Sequence, residues 1–308
     1  MNSKVVARQL AKRKQELMLD DGAMFQDEEG FLNKAQNRKF KKYHTAFSGY
    51  LEGQGLTPRY HWAILQSMHA WHNERSCIIS LVEDRQETEH LAQGAHYGYW
   101  WLMLGPKVTA SRVDGGPDVS IEEVTLVLAD LLMLGHFEEA ASATNITAPK
   151  LATPYMCGGF DRYPHAWFLL ILCCSWQGCD VDTGDYDYDT PPDMLVYKEV
   201  LANWDTQDTD KVQALVTKMA TYHMAASKEN MGKYEINDFS SSEFWLYPYE
   251  ILAWLKLRTH LGLPNPVSYE HPLMHLPQAQ MPEDTPFPQH DLLDKVVAKL
   301  AKDHDITL

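Results

Sequence analysis

The stretch Glu243-Phe244-Trp245-Leu246-Tyr247-Pro248-Tyr249-Glu250-Ile251-Leu252-Ala253-Trp254-Leu255-Lys256-Leu257-Arg258-Thr259-His260-Leu261-Gly262-Leu263 decides the fold. Ile251, Leu252, Trp254 and Leu255 recur at helical spacing, Pro248 stands near the start and Gly262 closes the run. Proline early and glycine just past the end is the order a helix favours. The spacing therefore predicts one long core helix over 243–261. Pro248 and Glu250 suit its first turns for capping reasons alone, and a buried Glu250 could pair with Arg258 two turns on.

Upstream, the same periodicity repeats. A basic amphipathic helix is predicted over 4–19, broken by Asp20-Asp21-Gly22, and a second over 30–51. Thr57-Pro58 opens a third, over 58–83, with threonine as cap and proline in the first turn. The fourth, over 87–104, mixes aromatics with Ala92, Gly94, Ala95 and Gly98, small residues that let two helices approach closely as an antiparallel hairpin. Gly105-Pro106 is expected to end it. Ser120-Ile121-Glu122-Glu123 reads as a cap with an acidic first turn, for a helix running to Leu134. Gly135-His136-Phe137-Glu138-Glu139-Ala140-Ala141 has the look of a tetratricopeptide-type turn, but no 34-residue period follows it.

Further helices are predicted over 164–176, 194–203, 208–227 and 291–302. Pro264, Pro266, Pro272, Pro277, Pro282, Pro286 and Pro288 make 264–288 a connector expected to lie extended across the surface. No short segment alternates cleanly enough to demand a strand. The expected fold is all-α, antiparallel helical hairpins in one array or two packed lobes. The turn-rich segment 145–163 would divide lobes 1–144 and 145–308, unless the chain forms one continuous domain.

The chain has 308 residues, enough for a sizeable core, with 45% hydrophobic and 22% charged residues, as in ordinary globular proteins. Its longest apolar run, Ala166 to Cys174, falls short of the roughly 20 residues that span a bilayer. The N-terminus lacks the apolar segment of a secretory signal, and five cysteines without a C-x-x-C pair indicate neither a disulfide scaffold nor a zinc ribbon. A cytoplasmic protein without membrane contact is expected. The net charge of -15 is uneven: residues 1–42 carry +4 and the remaining 266 carry -19. Such a body repels phosphate backbones and argues against direct nucleic-acid binding, while favouring a basic protein partner.

Two constellations stand out. His61, His69 and His72 fall within about 80° of one another on the third helix, and could present imidazoles to a metal. Packed aromatic histidines are the plainer reading. The segment Asp180-Val181-Asp182-Thr183-Gly184-Asp185-Tyr186-Asp187-Tyr188-Asp189 superficially resembles a calcium loop. A calcium-binding EF-hand needs glycine sixth and glutamate twelfth, whereas here glycine is fifth and Pro191 twelfth. A solvated acidic loop, or a docking loop for a basic surface formed by Asp180, Asp182, Asp185, Tyr186, Asp187, Tyr188 and Asp189, fits better. Motifs of nucleophilic, phosphate-binding, zinc-protease and dinucleotide sites are missing. The carboxylates Glu235, Asp238, Glu243 and Glu250 could in principle meet across a cleft. No catalytic residue, metal or cofactor is assigned.

The block around Tyr247, Pro248 and Glu250, running on through Ile251-Leu252-Ala253 to Leu255-Lys256-Leu257-Arg258, resembles the C-terminal helix of the immunity protein 49 type and related all-helical immunity proteins of bacterial polymorphic-toxin systems. The specific likeness covers about 20 residues. It implies a non-enzymatic cytoplasmic antidote that binds a cognate toxin, often a nuclease, and blocks or distorts its active site. Nucleases are basic where they grip phosphate, so an acidic inhibitor would be complementary. A helical metal-dependent enzyme and a general protein-binding scaffold, including one that pairs with a second copy of itself, are the competing classes.

Overall fold

The structure is a computed structural model that describes residues 3–17, 31–54, 57–109, 119–151, 153, 155–156, 162–181, 191, 193–227, 238–239, 241 and 244–306. Among these residues eleven α-helices carry the fold and no strand forms. They are α1 (Ser3–Leu17), α2 (Phe31–Leu51), α3 (Pro58–Glu83), α4 (Glu89–Val108), α5 (Ile121–Met133), α6 (Phe137–Thr147), α7 (Pro164–Gln177), α8 (Val196–Leu201), α9 (Thr209–Ala226), α10 (Tyr249–His260) and α11 (Asp291–Asp303). The all-α expectation holds.

Helix α5 is the hub. It begins with a capping box in which the Ser120 hydroxyl accepts from the Glu123 amide and the Glu123 carboxylate accepts from the Ser120 amide. Ten of its residues, from Ile121 to Met133, are buried, and it packs against α4, α6, α7 and α10. The broadest helix contact is that of α3 with α4, and small residues permit it. A Cβ on Gly98 would sit 2.7 Å from Val127 Cγ2 and 3.0 Å from His69 Cδ2, where α3, α4 and α5 meet. Buried apolar side chains from Val6 to Ala301 make one contiguous cluster.

The opening stretch needs a correction. The helix starts at Tyr249, not 243, and Pro248 is its N-cap. Residues 244–248 turn instead, with the Tyr247 amide donating to the Phe244 carbonyl at 3.1 Å. Proline drives its predecessor out of the helical region, which stops the helix from extending back through Tyr247. The Pro248 carbonyl takes over the first two bonds, from Ile251 and Leu252. At the other end Gly262 adopts φ +69°, the Leu263 amide bonds to the Arg258 carbonyl and the Gly262 amide to that of Thr259, which is a Schellman stop. Every residue from Tyr249 to Arg258 is buried. The helix has no solvent face over this span.

Two other boundaries differ. Helix α4 continues through Gly105 and Pro106 to Val108, because the Thr109 amide and hydroxyl both bond to the Gly105 carbonyl and hold the turn after the proline together. Thr57 caps α3 in position only, its side chain making no capping bond. The 264–288 connector is not merely extended over the surface. It forms 3₁₀ turns at Pro272–His275 and Pro277–Ala279, buries Leu273, Met274 and Ala279, and is tied down by Lys256, whose ammonium bonds to the Pro282 carbonyl at 2.7 Å and to Asp284 at 2.6 Å. Phe287 then wedges edge-on among His96, Tyr99 and His136.

Candidate functional site

The polar residues of α10 point inward. Arg258 is fully buried and donates four hydrogen bonds: Nη1 to the Trp204 carbonyl (2.7 Å), Nη2 to the carbonyls of Thr206 (2.8 Å) and Pro264 (2.7 Å), and Nε to Asn265 Oδ1 (3.0 Å). Its guanidinium lies 5.5 Å from the centre of the Trp254 ring, whose indole N–H donates to the same Trp204 carbonyl. The fork clamps the 204–206 and 264–265 loops onto the end of α10. It does not meet Glu250. That carboxylate, also fully buried, pairs with His223 of α9 at 3.0 Å, while His223 Nε2 faces the Phe244 carbonyl at 3.0 Å. Both ring nitrogens thus face oxygen atoms. Tyr247 is buried too, and burial holds its phenol well above the ordinary range. The residues that carry the family likeness are structural.

Around His223 gathers a second set of titratable groups. Tyr222 donates to Asp238 Oδ2, and His165 Nδ1 lies 3.9 Å from the same oxygen. The Phe239 ring sits between the two imidazoles, 4.0 Å from His223 and 4.5 Å from His165. Asp238 and Glu250 therefore occupy two adjoining pairs, each with its own partner. Glu235 and Glu243 lie outside the described residues. Burial raises the Tyr197 and Tyr249 phenols well above their usual range.

The three histidines of α3 are likewise buried, each with different neighbours. His69 Nε2 is 2.9 Å from Asp130 of α5, an oxygen that also accepts from Asn73 at 2.7 Å. Burial raises Asp130 above the usual carboxylate range, against the lowering effect of that His69 bond. His72 Nδ1 is 2.9 Å from His90 Nδ1, and burial, reinforced by His90, holds His72 down to about 3. His61 stacks on Tyr50 at 4.2 Å. Among the described residues no group of three His, Cys, Asp or Glu side chains is arranged to hold a metal ion. The α3 face is packing.

A cavity of about 390 Å³ opens to solvent where α7 ends and α8 begins. Trp167, Ile171, Cys174 and Ser175 line it from one face of α7, at the i, i+4, i+7 and i+8 positions. Pro191 and Met194 form the opposite wall, and Cys179, Asp180 and Val181 form the lip. Phe168 stacks on Tyr197 at 5.0 Å and fixes α8 against α7. Asp180 and Asp193 are exposed, and neither makes an ion pair with a lysine or arginine among the described residues. The last turn of α7 has no basic residue to offset the negative end of its dipole. Chemically this place suits a cation with an aliphatic stem: apolar walls for the stem, a carboxylate and helix carbonyls for the charge.

Of the acidic residues singled out in the sequence, Asp180 is thus on the lip of the cavity. Asp182, Asp185, Tyr186, Asp187, Tyr188 and Asp189 lie outside the described residues. Sequence reasoning missed Trp167, Ile171, Met194 and the buried partners His223 and Asp130. The helix face of α7 is legible in principle, but its all-round apolar sequence hides which side stays uncovered. No protein family, curated protein or solved structure matches this chain.

Proposed function

We propose that this chain is a non-enzymatic immunity protein, acting in the cytoplasm, that binds and neutralises a basic toxin domain of the nuclease type. The observation that carries the reading is the charge: a net -15, with -19 concentrated beyond residue 42. In the described residues, exposed carboxylates such as Glu138, Asp180, Asp193, Asp205 and Asp210 stand without a lysine or arginine ion pair. The cavity beside Asp180 supplies what such a surface needs for affinity rather than attraction alone. A lysine or arginine of the partner can lay its stem on Ile171 and Met194 and bring its charge to Asp180. The likeness of the α10 block to helical immunity proteins points the same way, and the inward aim of Glu250 and Arg258 leaves partner contact to surface carboxylates.

The experiment is co-expression with a candidate toxin domain of the basic nuclease type. Growth rescue, with co-elution of the two proteins on gel filtration, is the expected result. Failure of both with that pair overturns the assignment to it.

A further inference from the structure

Helix α7 ends on Gly178 in the left-handed region, φ +67°. The chain folds back there, and the Cys179 amide donates to the Cys174 carbonyl at 3.0 Å, the bond that joins the two flanks of a Schellman-type stop. That stop characteristically brings the side chains of those two positions together. In most helices the pair is apolar. Here both members are cysteines, and both line the solvent-reached cavity. Cys173, their sequence neighbour, is fully buried and is not part of that lining.

We propose that Cys174 and Cys179 are a modification site, closing to an intramolecular disulfide when hydrogen peroxide enters the cavity beside Asp180. A disulfide needs Cα atoms about 4.4–6.8 Å apart and convergent Cβ vectors; the fold-back at Gly178, closed by the Cys179–Cys174 backbone bond, is what draws the two positions together. Cys179, half-buried at the lip, is the thiol that peroxide reaches first. Its thiolate attacks one peroxide oxygen, the O–O bond breaks, and the departing hydroxide takes up the thiol proton, leaving a sulfenic acid and one water. Cys174 then attacks the sulfenic sulfur, the S–S bond forms and hydroxide leaves with the Cys174 proton as a second water. The sulfurs together lose two electrons and the peroxide gains them. Burial raises the Cys174 thiol, so the closing step is the slower one at neutral pH. The site stands apart from the inhibitor reading and does not rest on it.

The test treats the full chain with one equivalent of hydrogen peroxide, alkylates with iodoacetamide and maps chymotryptic peptides, since cleavage at Trp176 separates the two cysteines. The expected product is a linked pair of peptides, lost on treatment with dithiothreitol. Cys173→Ser should retain the link, while Cys174→Ser and Cys179→Ser should each abolish it at unchanged far-UV circular dichroism. A link that survives Cys174→Ser, or Cys179 oxidised to sulfenic or sulfinic acid with Cys174 still alkylatable, overturns the proposal.

Discussion

Replacing Arg258 offers the sharpest check on how α10 is held. In Arg258→Met the stem remains but all four donated bonds are lost. The Trp204 carbonyl keeps the indole N–H of Trp254, so it is not orphaned. The carbonyls of Thr206 and Pro264 and Asn265 Oδ1 lose their Arg258 donors. An unsatisfied buried acceptor costs about 1–3 kcal/mol. Some of that is recovered because a buried charge disappears, which leaves a net loss of about 4 kcal/mol for three such groups. At about 2–4 °C per kcal/mol for a large domain, Tm should fall by roughly 8–16 °C. Arg258→Lys keeps the charge but presents a single point donor in place of the planar fork, and should lose about half as much. Because backbone carbonyls and an amide solvate Arg258, and the exposed Asp205 adds only a through-space attraction that salt screens, 1 M salt should narrow the difference between wild type and variant only slightly (about 3 Å Debye length). Urea and thermal unfolding followed by circular dichroism read all three numbers. A Met variant within about 1 kcal/mol of wild type, or a lysine variant less stable than the methionine one, refutes the clamp.

Glu250→Ala should destabilise by about 3–5 kcal/mol, the cost of stranding one half of a buried pair, and adding His223→Phe should restore part of it in urea melts; simple additivity of the two losses would show that the pair is not coupled. Acid should weaken the fold before its carboxylates titrate. Burial holds native His72 near 3 and His96 and His136 near 4, whereas the unfolded imidazoles titrate near 6.5, so the unfolded chain binds more protons as pH falls from about 6.5 toward 4. Raised Asp130 and Glu122 oppose this at the low end. Stability should therefore be level from about pH 7 to 8 and fall below about 6.5, and a urea midpoint flat from pH 7 to 5 would contradict it. Neutralising Asp180, Asp182, Asp185, Asp187 and Asp189 together should slow association with the toxin at low salt and leave dissociation nearly unchanged; an unaltered association rate by stopped flow would place the contact elsewhere.

Much of the fold was legible because local rules and packing agree. Ser120 and Glu123 form the capping box that their spacing announces, Gly262 stops α10, and Gly94 and Gly98 mark where α3 and α4 close on each other. The errors sit where one local rule overrides another. Apolar periodicity runs through Phe244 to Leu246, yet the restriction that Pro248 places on Tyr247 delays the helix to Tyr249. Gly105-Pro106 resembles a terminator, but Thr109 rescues the turn.

The site was less legible, for a different reason. Glu250 and Arg258 share a helix and carry opposite charges, so sequence pairs them; in three dimensions each is claimed by a residue from another segment, His223 and Asn265. The histidines of α3 align on one face, but nothing in their spacing shows that Asp130, His90 and Tyr50 are the neighbours they pack against. The α7 cavity depends on which side of a uniformly apolar helix its neighbours leave bare, and helical periodicity has no signal for that.

We propose that the acidic surface neutralises a basic nuclease-type toxin. The most direct measurement adds increasing amounts of the purified protein to a candidate nuclease-type toxin domain and follows cleavage of a DNA or RNA substrate. Activity that falls to background at a fixed molar ratio, and requires more protein as ionic strength rises, is the predicted result. Undiminished cleavage at a large excess of the protein would contradict it.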